Sequence, residues 1–178
     1  MKETEKQLVE KAIKVIDQEG FQNFSLRKLT AAIGLTTGAF YKHFNSKDDL
    51  FKQATIQLSQ EFIAQINFHS KAPEKQLLQI ADYFIKQVQE HPNIMEFLFF
   101  NNNATLAFKN SDHQFPFLTK MLQLTDQITQ NSNITGHDFF IQIWSFIQGY
   151  SLLIKNGITN YDKQLIQTTL TQLAKGTN

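Results

Sequence analysis

The sequence predicts an all-α protein, in which a small N-terminal three-helix unit containing a helix-turn-helix is followed by a larger helical bundle. Three observations predict it. Apolar residues recur at three- and four-residue spacing along most of the chain, and no alternating run or hairpin turn stands out. Proline, glycine and Ser/Thr/Asp residues stand where such segments would start and stop. Residues 25–51, SLRKLTAAIGLTTGAFYKHFNSKDDLF, spell two short helices joined at a glycine and the start of a third.

Taken in order, the elements come to about nine helices. Leu8, Ala12, Ile13 and Ile16 mark the first, closed by Gly20. Leu26, Leu29, Ala32 and Ile33 give the second an apolar side; Ser25 can cap its start and Gly34 its end. Leu35 would fill the angle before the third helix, which Thr36 can cap and whose inward pair is Phe40 and Phe44 at i, i+4. Ser46-Lys47-Asp48-Asp49 resembles a capping box opening the fourth helix, expected to run to about Phe68 through Leu50, Ala54, Leu58, Phe62 and Ile66. Pro73 opens the fifth, which stops near His91-Pro92, and the sixth spans Asn93 to Phe100. Asn101-Asn102-Asn103 suggests a break, and residues 109–116 carry no clear pattern. The seventh runs from about Phe117 to Ile128, the eighth from His137 to Lys155, and the ninth follows Tyr161-Asp162. This divides the chain into residues 1–46 and 47–178, with the fourth helix (about 47–69) connecting the two parts.

The third helix carries the chemistry. With Phe40 and Phe44 turned inward, Thr37, Gly38, Ala39, Tyr41, Lys42 and His43 fall on or near its outer side. Small residues at the front, with Tyr, Lys and His behind, suit a DNA major groove flanked by phosphates. Charge agrees. From Phe21 to Lys47 there is no Asp or Glu, while Arg27 (the only arginine), Lys28, Lys42 and Lys47 all lie there. From residue 48 onward nine lysines face eleven acids, a net of −2, so the overall +1 conceals a local basic stretch. Phosphate binding needs that local concentration.

These residues resemble the DNA-binding domain of the TetR family of bacterial transcriptional regulators. The pattern is a first helix ending at Gly20, then Phe21, Phe24-Ser25, Leu-Arg-Lys-Leu-Thr-Ala-Ala-Ile-Gly, Thr-Thr-Gly-Ala-Phe-Tyr-Lys-His-Phe and Ser-Lys-Asp-Asp-Leu, over about residues 5–55. The resemblance implies roles. Tyr41, His43 and Lys47 match phosphate contacts. Thr37, Gly38 and Lys42 match positions at base edges or the nearby backbone. Ser25 and Arg27 open the supporting helix against the strand, and Thr36 opens the reading helix. Beyond residue 55 the likeness lies in size, helicity and layout. It implies a homodimer on a pseudo-palindromic operator in double-stranded DNA, acting as a repressor released by a small-molecule effector.

The bundle supports those expectations in part. Phe139, Phe140, Ile143, Trp144, Phe146, Ile147, Tyr150, Leu152, Leu153 and Ile154 go almost all round the eighth helix. A helix apolar on all sides must be buried on all sides, here by its own core and by a partner. Gly149 and Ser151 would allow a second helix to approach, and the ninth helix has one apolar stripe. Candidate dimer contacts are Phe140, Ile147, Gly149, Ile154, Ile166, Leu170 and Leu173. Thirteen of the seventeen phenylalanines follow residue 50. Phe62, Phe84, Phe97, Phe100, Phe117, Met121 and Trp144 are candidates for lining an effector pocket, with Phe99, Phe108, Phe115 and Met95 nearby in sequence. Without arginine in that region, an apolar or aromatic effector is favoured over a strongly anionic one.

Other classes fare poorly. There is no cysteine, hence no disulfide, thiol nucleophile or thiolate metal site. Nucleophile-elbow, Walker, dinucleotide-glycine and zincin motifs are absent, so no catalytic residue, cofactor or metal is expected. His43, His69, His91, His113 and His137 lack ligand spacing. The charged opening MKETEKQLVEK has no signal-peptide core, and the most apolar run, Phe139 to Ile154, is too short and too polar to favour a membrane span. A cytoplasmic, non-enzymatic protein is expected. Two rival readings are a regulator without a small-molecule ligand and a helical ligand-binding module that no longer reads DNA.

Overall fold

The computed structural model describes residues 2–100 and 115–176; among these, every regular element is a helix. The expected break at 101–103, Phe108, His113 and most of the unpatterned stretch lie outside the described residues. Nine α-helices are described: α1 (Glu3–Glu19), α2 (Leu26–Ala32), α3 (Thr37–Phe40), α4 (Lys47–Ala64), α5 (Pro73–Glu90), α6 (Pro92–Phe99), α7 (Pro116–Ile128), α8 (Gly136–Lys155) and α9 (Lys163–Lys175), with a 3-10 turn at Phe21–Asn23. They fall into two units. One comprises Met1–Glu61 and His91–Phe115, the other Phe62–Glu90 and Pro116–Asn178.

In the first unit α1 buries Leu8, Val9, Ala12 and Ile16, the i, i+4 stripe the sequence shows. It packs against α2, the 3-10 turn and α6. Gly20, at φ 76°, turns the chain out of α1 in a region open to glycine. The α6 end is tied to α1 by polar groups: Asn93 donates from Nδ2 to the Asp17 carbonyl at 2.8 Å, and His91 Nδ1 lies 3.3 Å from the Asp17 carboxylate. Phe97 on α6 meets Phe51 edge-on at 5.2 Å and Phe21 at 6.0 Å. Phe97 and Phe100 therefore belong to the first unit, apart from the other five pocket candidates.

In the second unit α5 buries Leu77, Ile80, Ala81, Phe84, Ile85 and Val88, one continuous face, against α7, α8 and α9. Phe62, Phe84, Phe117 and Trp144 form one buried aromatic cluster: Phe62–Phe117 centroids lie 5.5 Å apart, and Trp144 is 5.1 Å from both Phe84 and Phe117. Met121 is fully buried in the same unit.

The fourth helix ends at Ala64, short of the expected Phe68. Two carbonyls of the segment that follows find partners on α5. Gln79 Nε2 on α5 donates to the Asn67 carbonyl at 2.8 Å, and Gln76 Nε2 donates to Ser70 at 2.9 Å. A chain whose carbonyls are satisfied from outside has no need to stay helical.

Helix α8 is apolar all round, as the sequence shows, but only part of it is covered. Phe140, Ile147 and Ile154 are buried within the chain, as are Ile166 and Leu170 of α9; Leu173 is half-buried. Gly149 is exposed, and so are Ile141, Leu152, Leu153 and Leu165.

Candidate nucleic-acid interface

Local backbone chemistry builds the helix-turn-helix. Ser25 Oγ accepts from the Lys28 amide at 3.4 Å and caps α2. Buried Thr30 returns its hydroxyl to the Leu26 carbonyl at 3.1 Å. The turn is a Schellman motif: the Leu35 amide donates to the Thr30 carbonyl at 2.9 Å, and Gly34 donates to Ala31 at 3.2 Å. Gly34 sits at φ 70°, where a side chain would be strained.

Thr36 Oγ1 then accepts from Ala39 N at 3.1 Å and starts α3. The helix proper is four residues long but the coil continues, with Lys42 N bonded to Ala39 O, His43 N to Phe40 O and Phe44 N to Phe40 O. Phe40 and Phe44 face inward, stacked at 5.5 Å and almost fully buried. Thr36, Thr37, Gly38, Tyr41 and Lys42 are exposed, Tyr41 to 56%. An added Cβ at Gly38 would meet only Thr36 Oγ1, at an ordinary 3.8 Å.

The flanking cations are placed differently. Arg27 is exposed in the first turn of α2. Lys47 opens α4 half-buried, its ammonium 5.1 Å from the Phe51 ring centroid and 5.6 Å from that of Phe24. Those rings meet edge-on at 4.9 Å, so an aromatic shelf holds the cation. The expected box at the α4 start forms with a shift: Ser46 Oγ accepts from Asp49 N at 3.1 Å, and Asp49 reaches back to Asn45 N at 3.1 Å.

His43 is half-buried. Its Nδ1 is buried without a hydrogen-bond partner, 3.7 Å from the Glu5 carboxylate on α1. Glu5 Oε2 accepts from the Lys2 amide at 2.9 Å, and that bond is the main cause holding the Glu5 carboxyl below its ordinary range. Neither Glu5 nor the Phe24–Phe51 shelf is marked in the sequence, because both pairings join separate helices or turns.

The structure thus places all nine DNA-binding candidates on or beside one α2–α3–α4 segment. A cleft of about 510 Å³ in the second unit shares no residue with the pocket candidates. Polar side chains, Gln65, Asn67, His69, Gln79, Asp82 and Lys163 among them, line it together with Ile66 and the rings of Tyr83 and Tyr161. Burial first, then the Asp82 carboxylate that accepts from it at 3.1 Å, push the Tyr161 phenol up to about 12. Among the described residues no group of three or more His, Asp or Glu could hold a metal ion, and no helix is long and apolar enough to cross a membrane.

Residues 8–54, running from α1 into α4, match the family described as "Bacterial regulatory proteins, tetR family". A relative, an HTH-type transcriptional regulator of Staphylococcus aureus (strain MRSA252), is 25% identical over 135 residues, 71% of each chain. Residues 8–54 therefore carry the N-terminal region of the TetR family. Solved structures show the TetR-family fold over nearly the whole length. One is the multidrug binding protein EbrR complexed with ethidium, at TM-score 0.69 and 20% identity, covering 96% of this chain and 98% of that one. Another is BioQ with its double-stranded DNA operator, at TM-score 0.66 and 15% identity with the same coverage.

Proposed function

We propose that this chain is a sequence-specific DNA-binding transcriptional regulator, a cytoplasmic homodimer that represses its target until a small-molecule effector releases it. One observation carries the reading: an exposed α3 face of Thr36, Thr37, Gly38, Tyr41 and Lys42, flanked by Arg27 and Lys47, in a stretch without a carboxylate. Tyr41, His43 and Lys47 position the domain on phosphates; Thr37, Gly38 and Lys42 meet base edges. Ser25 and Arg27 hold α2 against the strand. In the dimer two α3 helices about one duplex turn apart (~34 Å) read a pseudo-palindrome.

The remainder of the chain binds the effector and the second copy. The aromatic cluster of Phe62, Phe84, Phe117 and Trp144 favours an apolar or aromatic effector, and the structural likeness to the multidrug binding protein EbrR complexed with ethidium supports that class. Binding there favours a conformer whose recognition helices no longer match their half-sites. Coupling of ~1–3 kcal/mol would change operator affinity about 5- to 150-fold.

The test is selection of bound sequences from a random duplex library with purified protein, followed by affinity at several salt concentrations. Recovery of a pseudo-palindrome with a steep salt slope is expected. Salt-sensitive binding without a motif would leave a non-specific binder, and no binding at low salt would overturn the DNA-reading role.

A further inference from the structure

Glu5 is separated from His43 by most of the N-terminal domain in sequence, yet its carboxylate is the ion-pair partner that the fold brings to the imidazole. The two oxygens of that carboxylate have different tasks. Oε2 accepts from the Lys2 amide at 2.9 Å, the return bond of the α1 capping box, which fixes the group at the start of the helix. Oε1 is left toward His43 Nδ1, at 3.7 Å. On the ring, Nδ1 is buried and without a hydrogen-bond partner, while about a fifth of the side chain remains exposed.

The imidazole can meet this environment and a phosphate at once in only one protonation state. A neutral ring with its proton on Nδ1 points it at Glu5 and turns the Nε2 lone pair to the phosphate, which is repulsive. A neutral ring with its proton on Nε2 reaches the phosphate but sets the Nδ1 lone pair against the carboxylate. The imidazolium donates from both nitrogens. We propose that Glu5 is a positioning residue that orients His43 and makes its phosphate contact conditional on the doubly protonated ring, so that duplex binding takes up a proton at each recognition helix. This rests on the DNA-binding reading above. Lys2, the N-cap of α1, is the other charge acting on the Glu5 carboxylate, and Lys42 adjoins the ring in sequence. Among the described residues, Glu5 is the carboxylate within ion-pair reach of the ring.

The direction of the pH effect follows. The bound state holds more protons than the free state, so binding strengthens as pH falls through the histidine range and weakens as it rises, by at most about tenfold per pH unit for each proton taken up. The experiment measures affinity of the full chain for the duplex recovered by selection, from pH 8 to pH 6 at fixed salt, with calorimetry in two buffers of different ionisation enthalpy to count protons. Wild type is expected to bind about tenfold tighter at pH 6, with net proton uptake. Glu5→Gln keeps a side chain suited to the capping box, so the fold is retained, but it replaces the acceptor-only carboxylate facing Nδ1 with an amide that can also donate there, so a neutral ring can reach the phosphate; its pH dependence is expected to shrink below about twofold. His43→Gln can donate to a phosphate without taking up a proton, and is expected to bind with no pH dependence. If Glu5→Gln tightens binding equally at all pH values and leaves the slope unchanged, Glu5 is merely a repulsive charge and the positioning role is overturned. A pH-independent wild type overturns it too, while operator binding itself survives. Failure of wild type to bind any duplex would sink the DNA-binding reading as well.

Discussion

Gly38 has no steric reason within the chain to be glycine. Its φ is not positive, and a Cβ there would touch only Thr36 Oγ1 at 3.8 Å. Alanine in an exposed helical position is worth about 0.5–1 kcal/mol over glycine. Gly38→Ala is therefore expected to stabilise the protein by about that amount in urea unfolding while weakening operator binding about tenfold or more, since the methyl occupies the face offered to the groove. Unchanged affinity would remove Gly38 from the contact surface. Lys47 poses a different question, because its ammonium already rests over Phe51 and Phe24. That contact fixes the side chain without neutralising its charge, so a phosphate can still be paired. Lys47→Ala is expected to lower the slope of log affinity against log salt by about one per protomer. A slope equal to that of wild type would reduce Lys47 to an internal cation–π contact. The polar and basic face was legible from residue types and spacing. The shelf beneath Lys47 and the Glu5–His43 pair were not, because each depends on how separate helices meet.

Among elements, those bounded by local chemistry were the readable ones. Ser25, Thr36, Pro73, Pro92 and Gly34 act within one turn of the backbone they start or stop, so α2, α3, α5 and α6 begin or end close to where the sequence marks them. The end of α4 was hidden, because the glutamines that satisfy residues 67 and 70 stand on α5. The start of α8 holds another contact that periodicity does not show. Thr135 caps the helix by accepting from Asp138 N at 3.1 Å, and Gly136 follows, fully enclosed. A Cβ at Gly136 would lie 2.9 Å from the Asp126 Cα, closer than side chains tolerate. Main chain cannot move aside as a flexible side chain can, so α7 and α8 would have to separate. Gly136→Ala is expected to cost about 1–3 kcal/mol, read as a lower urea midpoint with unchanged steepness. A midpoint equal to that of wild type would mean the α7–α8 approach is loose.

On the scale of the whole molecule, α8 carries the exposed apolar surface that the proposed second copy would meet. Its sequence is apolar all round, which called for two coverings, but which residues serve each was decided by neighbouring helices. Phe140, Ile147 and Ile154 turned to the chain's own core, while Ile141, Ser145, Gly149 and Leu152 lie outward at i, i+4, i+8 and i+11. That spacing makes one stripe with large apolar ends and two small residues between, a shape that lets a second helix lie close. Ile141 and Leu152 are each 47% exposed, and Leu153 and Leu165 add 42% and 44%. Soluble monomers rarely leave so many large aliphatic side chains on neighbouring turns in water. The second copy proposed for operator binding would cover this stripe. Leu152→Glu is expected to give a single-chain species by light scattering where wild type gives two, with helicity by circular dichroism unchanged because the side chain is not part of the core. Operator affinity should fall by orders of magnitude, since one recognition helix reads one half-site, while the residual binding keeps its salt dependence per protomer. Ile147→Glu makes the contrast. Ile147 is fully buried within the chain, so that charge should unfold the protein rather than split a dimer. If Leu152→Glu still sediments as two chains, the copies meet through another surface and α8 is exposed for some other contact.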